Sequence, residues 1–338
     1  MSDQTLAHRW VWLLLMVGAA TVLLGTAAGS QGWQAWWSAQ PDGVSRQIVV
    51  DIRLPRSLGA WLGGGLLGLS GAVAQGLFRN PLADPYLLGS ASGASLGVGT
   101  YLSLFGGSAW AMGWWMGLGL TGAAFVGAVL AVILTLLLAR GVQQTLRLLL
   151  AGVVVGVVLG AVTSMLSVLQ PQVLQAMQGF MLGSTAFVSW TACVTMAVVL
   201  ALCMGLAWTF ARVLDALTLG ESTAQTLGVP LRSARLVLVG VISLATGAAV
   251  AHIGLVAFVG LAAPHLVRSL LRSTHAWSLI LSALMGGALL SVADVLARVL
   301  FAPQELPVGV LTAVLGGGYL LWRVYRDTGS GSGTGGER

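Results

Sequence analysis

Few side chains in this sequence could do chemistry, and none is grouped as catalysis requires. The four histidines, His8, His252, His265 and His275, are scattered, and no Cys/His cluster has metal-ligand spacing. Cys193 and Cys203 lie ten residues apart in one apolar stretch. On a helix that separation is about 15 Å of rise, too far for a disulfide, so both are expected to pack in the core. His252 sits in an apolar run, where it could touch a ligand or simply be buried with a hydrogen-bond partner. A nucleotide-binding P-loop needs a lysine, and all 16 basic residues are arginine. The one clear acidic residue inside an apolar run is Asp294, with Arg298 four positions on, which reads as a local i,i+4 ion pair. An ion-driven carrier normally needs more intramembrane acids than that. No Ser/His, paired-Asp or metal constellation lies within the apolar runs, which disfavours an intramembrane enzyme. No catalytic, metal-binding or cofactor-binding residue is therefore assigned, and the energy source for any transport is expected outside this chain.

The surroundings of these residues set their solvent. The chain has 338 residues, 57% hydrophobic and 8% charged, and a mean hydropathy of +0.91. A soluble domain carries about 25% charged residues, so most of this chain must lie in a lipid bilayer. The 47 glycines agree, because small residues let membrane helices pack closely. A net charge of +6 dispersed along the chain makes no basic patch, which excludes nucleic acid as a partner.

Apolar runs near 20 residues predict an all-α polytopic membrane protein with about ten spans: 10–30, 57–78, 89–105, 112–139, 148–169, 190–211, 234–251, 254–271, 277–300 and 307–325. The first run continues too far for a cleaved signal peptide and reads as a retained helix. With the N-terminus in the cytoplasm, twelve arginines fall inside and four outside (Arg46, Arg53, Arg56 and Arg298). That bias supports an even number of spans with both termini cytoplasmic. Residues 1–326 then form one transmembrane domain, with a long cytoplasmic connection at 212–233 and a Gly/Ser-rich, disordered tail at 327–338. Residues 31–56 read as an outer loop whose Trp33, Trp36 and Trp37 suit the lipid–water interface, and 170–189 as a short interfacial helix.

Three segments stand out. Arg53-Leu54-Pro55-Arg56 places two cations just outside a span, as anchors in the interface or as something more specific. Arg79-Asn80-Pro81-Leu82-Ala83-Asp84-Pro85 is a rigid, non-helical connection, because proline cannot continue a helix. Gly220–Leu231 reads as a short helix closed by Gly228 and stopped by Pro230. It would serve as a docking surface or as an amphipathic connector.

At these segments the sequence resembles the FecCD-type permease family of type II ABC importers for iron chelates and cobalamin. The matching stretches are Arg53–Arg56, Ser70-Gly71, Gln75-Gly76, Arg79–Pro85, Leu88-Gly89, Gly93–Ser95, Gly220-Glu221, Leu227-Gly228, Phe258–Leu261, Pro264-His265 with Arg268, Asp294 with Arg298, and Glu305–Gly309. They run in family order over most of the chain. The resemblance implies the type II importer permease fold and a homodimer with its translocation path between the subunits. It further implies two ATP-binding cassette subunits, which carry the ATP and Mg, and a periplasmic or surface-anchored substrate-binding protein. It implies that Gly220, Glu221, Ala224, Leu227, Gly228 and Pro230 belong to the element that couples to the ATPases. By the same resemblance Arg53, Arg56 and Arg298 receive acidic residues of the binding protein. The setting would be the cytoplasmic membrane of a bacterium or archaeon, and the cargo a ferric siderophore or haem, with cobalamin as the alternative. Ser90-Ala91-Ser92 and the bulky Tyr86 depart from the family pattern at positions that could bear on cargo.

Overall fold

A computed structural model describes residues 3–29, 32–33, 43–105, 114–139, 145–271 and 273–329. The helices are α1 (Asp3–Ala27), α2 (Gly43–Ile48), α3 (Leu54–Phe78), α4 (Ser90–Phe105), α5 (Trp114–Leu138), α6 (Thr145–Leu169), α7 (Pro171–Leu182), α8 (Trp190–Thr209), α9 (Ala211–Thr218), α10 (Glu221–Thr226), α11 (Leu231–Ile253), α12 (Val259–Leu270), α13 (His275–Val299) and α14 (Val308–Gly329). Among the described residues, seven helical segments are long and apolar enough to cross a membrane, carried by α1, α2–α3, α5, α6, α8, α11 and α13. The other three expected spans correspond to α4, α12 and α14, whose apolar parts are shorter. The α7 helix is the short helix expected within 170–189.

Helix α3 is the axis of the molecule, buried over nearly all its length and antiparallel to α13. Lipid tails are as apolar as leucine, so only close packing can hold such helices together. Glycine makes it possible here. A Cβ at Gly64 would collide with the Gly286 carbonyl, one at Gly68 with the Ser282 carbonyl, and one at Gly71 with the Gly260 carbonyl. The α4–α5 pair repeats the device at Gly93 and Gly127. Leu66, Leu67 and Leu69 are buried in the core, where α3 packs on α8, α11, α12 and α13. Cys193 and Cys203 are buried in the same core as free thiols.

Three boundaries differ from the sequence expectation. The expected outer loop 31–56 is helical from Gly43 onward, while residues 34–42, with Trp36 and Trp37, lie outside the described residues. Pro55 does not stop the helix, because a π-helical turn at Val49–Arg53 precedes it and the Leu54 N–H bonds to the Val49 carbonyl. The expected span 254–271 holds only twelve helical residues, α12. That is about 18 Å, short of a roughly 30 Å hydrocarbon core. Gly254 and Phe258, both at φ +68°, flank a non-helical stretch between α11 and α12. Its polar groups are met by protein: Ser184 N–H donates to the Ile253 carbonyl and Leu255 N–H to the Phe180 carbonyl, both at 2.9 Å. The Tyr86 hydroxyl donates to the Val256 carbonyl at 3.1 Å. Irregular backbone at membrane depth is tolerated on those terms. Finally, α14 continues to Gly329, so residues 327–329 of the expected tail are helical, and 330–338 lie outside the described residues.

The packing account separates two glycines. Gly68→Ala should cost about 1–3 kcal/mol, as overpacking does, and lower the melting temperature of the detergent-solubilised protein by several degrees. Gly240→Ala, whose Cβ would meet nothing within 4 Å, should melt at or above the parent temperature. Equal melting of the two variants would contradict the backbone approach of α3 to α13.

Candidate functional site

The antiparallel α3–α13 pair carries the singled-out residues at its two ends. At one end lie Arg53, Arg56 and Arg298, and at the other Arg79, His275 and the Gly220–Leu231 element.

The arginine end is a bonded cluster. Arg298 is only 1% exposed. Its Nη1 donates to the Gly25 carbonyl at 2.7 Å and the Ala28 carbonyl at 3.4 Å, and its Nη2 to Ser57 Oγ at 3.0 Å and to Asp294. Asp294, equally buried, also accepts from Thr185 Oγ1 and from Arg56 Nε at 3.3 Å. Arg56 extends the chain of charges to Glu305 through Nη1 at 2.8 Å, and Arg53 Nη1 donates to the Thr26 carbonyl at 3.2 Å. The expected local pair of Asp294 and Arg298 is therefore the centre of a network joining α1, α3, α13 and the segment after α7. A guanidinium this deep must be paired or it destabilises the fold. Arg298, expected to receive an acidic residue of a binding protein, is thus committed to this network, and its side chain does not reach the surface. Arg56 is 12% exposed beside a pocket of about 170 Å³ lined by Gly183, Ser184, Thr185, Glu305 and Pro307.

The opposite end is built on two short helices. Helix α9 buries Ala211, Leu214 and Leu217 against the core and turns Asp215 to His275, with Oδ1 2.7 Å from Nδ1. The same oxygen accepts from the His275 N–H at 3.0 Å and so satisfies the first N–H of α13. Gly220 (φ +107°) and Gly228 (φ +78°) bracket α10 in conformations that a side chain resists. Ala224 is fully buried, Pro230 stands at the start of α11, and Leu227 is 63% exposed. Glu221 pairs with Arg235 at 2.6 Å and Arg79 at 3.5 Å. Arg79, in a left-handed conformation, ends α3 and begins the rigid connection. There Asn80 Oδ1 accepts from the Leu82 N–H and Asp84 Oδ1 from the Tyr86 N–H, at 2.9 and 2.8 Å. A cavity of about 520 Å³, lined by Gln75, Arg79, Asn80, Arg268 and His275 together with Ala72, Pro81 and Leu271, opens beside it.

Sequence reasoning missed three participants. Leu219 is as exposed as Leu227 and stands next to Gly220, a signal that was readable. Glu305 lies in a quoted motif without an assigned partner, because Arg56 is 249 residues away. Thr185 carries no sequence signal. Among the described residues no group of three His, Cys, Asp or Glu side chains could hold a metal.

The model of the FecCD transport family matches residues 12–326. The chain is 38% identical to the hemin transport system permease protein HmuU of Yersinia pestis, covering 93% of this chain and 94% of that protein. It is 33% identical to the iron(3+)-hydroxamate import system permease protein FhuB of Bacillus subtilis, over 94% and 80% of the two chains. Identity is 36% to the vitamin B12 import system permease protein BtuC of Klebsiella pneumoniae, over 97% of each. A solved structure described as an inward-facing conformation of a metal-chelate type ABC transporter superposes with a TM-score of 0.83 at 29% identity, covering 94% of this chain and 98% of that one.

The buried network is testable by removing one charge. Asp294→Asn leaves Arg298 without a full counter-charge and should cost about 3–5 kcal/mol, seen as lower membrane yield and a depressed melting temperature. The double change Asp294→Leu with Arg298→Met should recover most of the loss. Parent-like melting of Asp294→Asn would show that the pair does not hold this end together.

Proposed function

The chain belongs to the FecCD transport family, and from that premise we propose that it lines the path by which a type II ABC importer carries an iron chelate, a ferric siderophore or haem, across the cytoplasmic membrane. The observation that carries the reading is the placement of two specialised ends on one helix pair, with an arginine cluster at one and a glycine-bracketed element at the other. Two copies of the chain would enclose the path. Two ATP-binding cassette subunits, holding ATP and Mg, would dock on α9–α10, where Leu219 and Leu227 offer apolar contacts and Gly228 and Pro230 fix the turn. A substrate-binding protein would deliver cargo at the opposite mouth, its acidic side chains meeting Arg53 and Arg56, while Asp294, paired with the buried Arg298, holds Arg56 from beneath. The arginine bias of the loops favours cytoplasmic termini and puts the α9–α10 element inside.

Force from the ATPases would enter through bonds already in place. Asp215 ties α9 to the start of α13, and Glu221 ties α10 to the end of α3. Movement of the element would thus be passed to the helix pair rather than absorbed by a loose loop. A corrinoid cargo is the second reading, favoured by the 36% identity to a vitamin B12 permease.

The purified chain should hydrolyse no ATP alone. Joined to its ATPase and challenged with the loaded binding protein, it should raise hydrolysis. Gly228→Val forces a β-branched residue into the left-handed region at a cost of about 1–3 kcal/mol. It should lower coupled hydrolysis by about tenfold with the chain still folded in membranes. Hydrolysis by contaminant-free chain, or full coupling in Gly228→Val, would overturn the assignment.

A further inference from the structure

Arg56 has two carboxylate partners of unlike character. Asp294 is buried and held by Arg298 and Thr185 as well. Glu305 lies on the connection between α13 and α14, with its side chain 30% exposed and one bond to Arg56 Nη1 at 2.8 Å. Its neighbours Phe301–Gln304 are all exposed. That connection is tied back by the Leu306 N–H, which donates to the Ala297 carbonyl at 3.0 Å. Glu305 therefore covers the solvent side of a cation whose other side is fixed. The adjoining pocket of about 170 Å³ has the room of several waters, at roughly 30 Å³ each, or of one carboxylate-tipped side chain.

The geometry at Arg56 decides what an incoming acid must do. Arg56 already holds two carboxylates, Asp294 through Nε and Glu305 through Nη1, while Arg53 is a third cation of the cluster and bonds to the Thr26 carbonyl. A further carboxylate on the solvent side of Arg56 would meet Glu305 at short range, as like charges partly shielded from water. We propose that Glu305 is a stand-in carboxylate, which holds Arg56 in the undocked permease and is exchanged for an acidic side chain of the binding protein on docking. This rests on the docking role proposed for the arginine end. The exchange replaces one ion pair by another, so it adds little affinity. Its product is a released connection at the start of α14, which lets docking at the mouth reach a membrane helix.

The test uses the complete transporter, this chain with its ATPase, in nanodiscs. Binding of its substrate-free binding protein is measured at low and high salt. Glu305→Gln keeps the shape and removes the competing charge. It should tighten binding about fivefold, the worth of a partly exposed pair, and steepen the fall of affinity with salt. Arg56→Ala should weaken binding, and adding Glu305→Gln to it should change nothing more. A spin label at Gln304→Cys should gain mobility when the binding protein is added. Weaker or unchanged binding in Glu305→Gln, a gain that persists in the Arg56→Ala background, or an unmoved label would overturn the exchange while Arg56→Ala still impairs docking. Loss of binding in Arg53→Ala with parent-like binding in Arg56→Ala would put the contact on Arg53 alone and overturn it too. Parent-like binding in both arginine variants would sink the docking reading itself.

Discussion

The contact between α3 and α13 requires two backbones to touch inside lipid, where no hydrophobic force presses them together. Gly64, Gly68 and Gly286 remove the side chains that would keep them apart. At one end the approach brings Ser57 and Arg56 against Asp294 and Arg298, so that a buried ion pair is shared by both helices and by the end of α1. At the other end the pair is bonded to α9 and α10 through His275 and Arg79. Dispersion from the close approach and charge pairing at the ends support each other. Without the first the charges are not enclosed, and without the second a bare guanidinium would sit in the fold.

Much of this architecture is local and therefore legible in sequence. Hydropathy finds α1, α5, α6, α8, α11 and α13, because each is a continuous apolar run of membrane length. The α10 element is equally readable, since Gly220, Gly228 and Pro230 act on their own backbone within eleven residues. What the sequence hides depends on distant partners. The short α12 follows from a break whose amides and carbonyls are met by Phe180, Ser184 and Tyr86. The early start of the helix leading into α3 follows from a π turn that accommodates Pro55. Arg298 looks outward on a linear map, yet carbonyls some 270 residues earlier accept its protons. Chain topology alone cannot reveal depth of burial.

The scarcity of polar side chains inside the spans fits the proposed transport. A wide path for a bulky chelate needs shape and release more than tight ligands, whereas an ion-coupled carrier needs acids at the midplane. Here the buried acid, Asp294, is committed to structure, with two arginines and a threonine on it. The broken α11–α12 segment lies between these extremes. Its backbone is satisfied by neighbouring protein, and Phe258, held at φ +68° against Gly316 of α14, joins the core to a helix beyond it.

The most direct measurement is accumulation of a labelled ferric hydroxamate, haem or cobalamin in proteoliposomes holding this chain, its ATPase and its binding protein. Ionophores would collapse every ion gradient, and each component would be omitted in turn. An ATP-energised permease gives uptake of one of these chelates that survives the ionophores and vanishes without ATP or without any one component. Uptake by this chain alone, or uptake abolished by the ionophores while ATP is present, would contradict it.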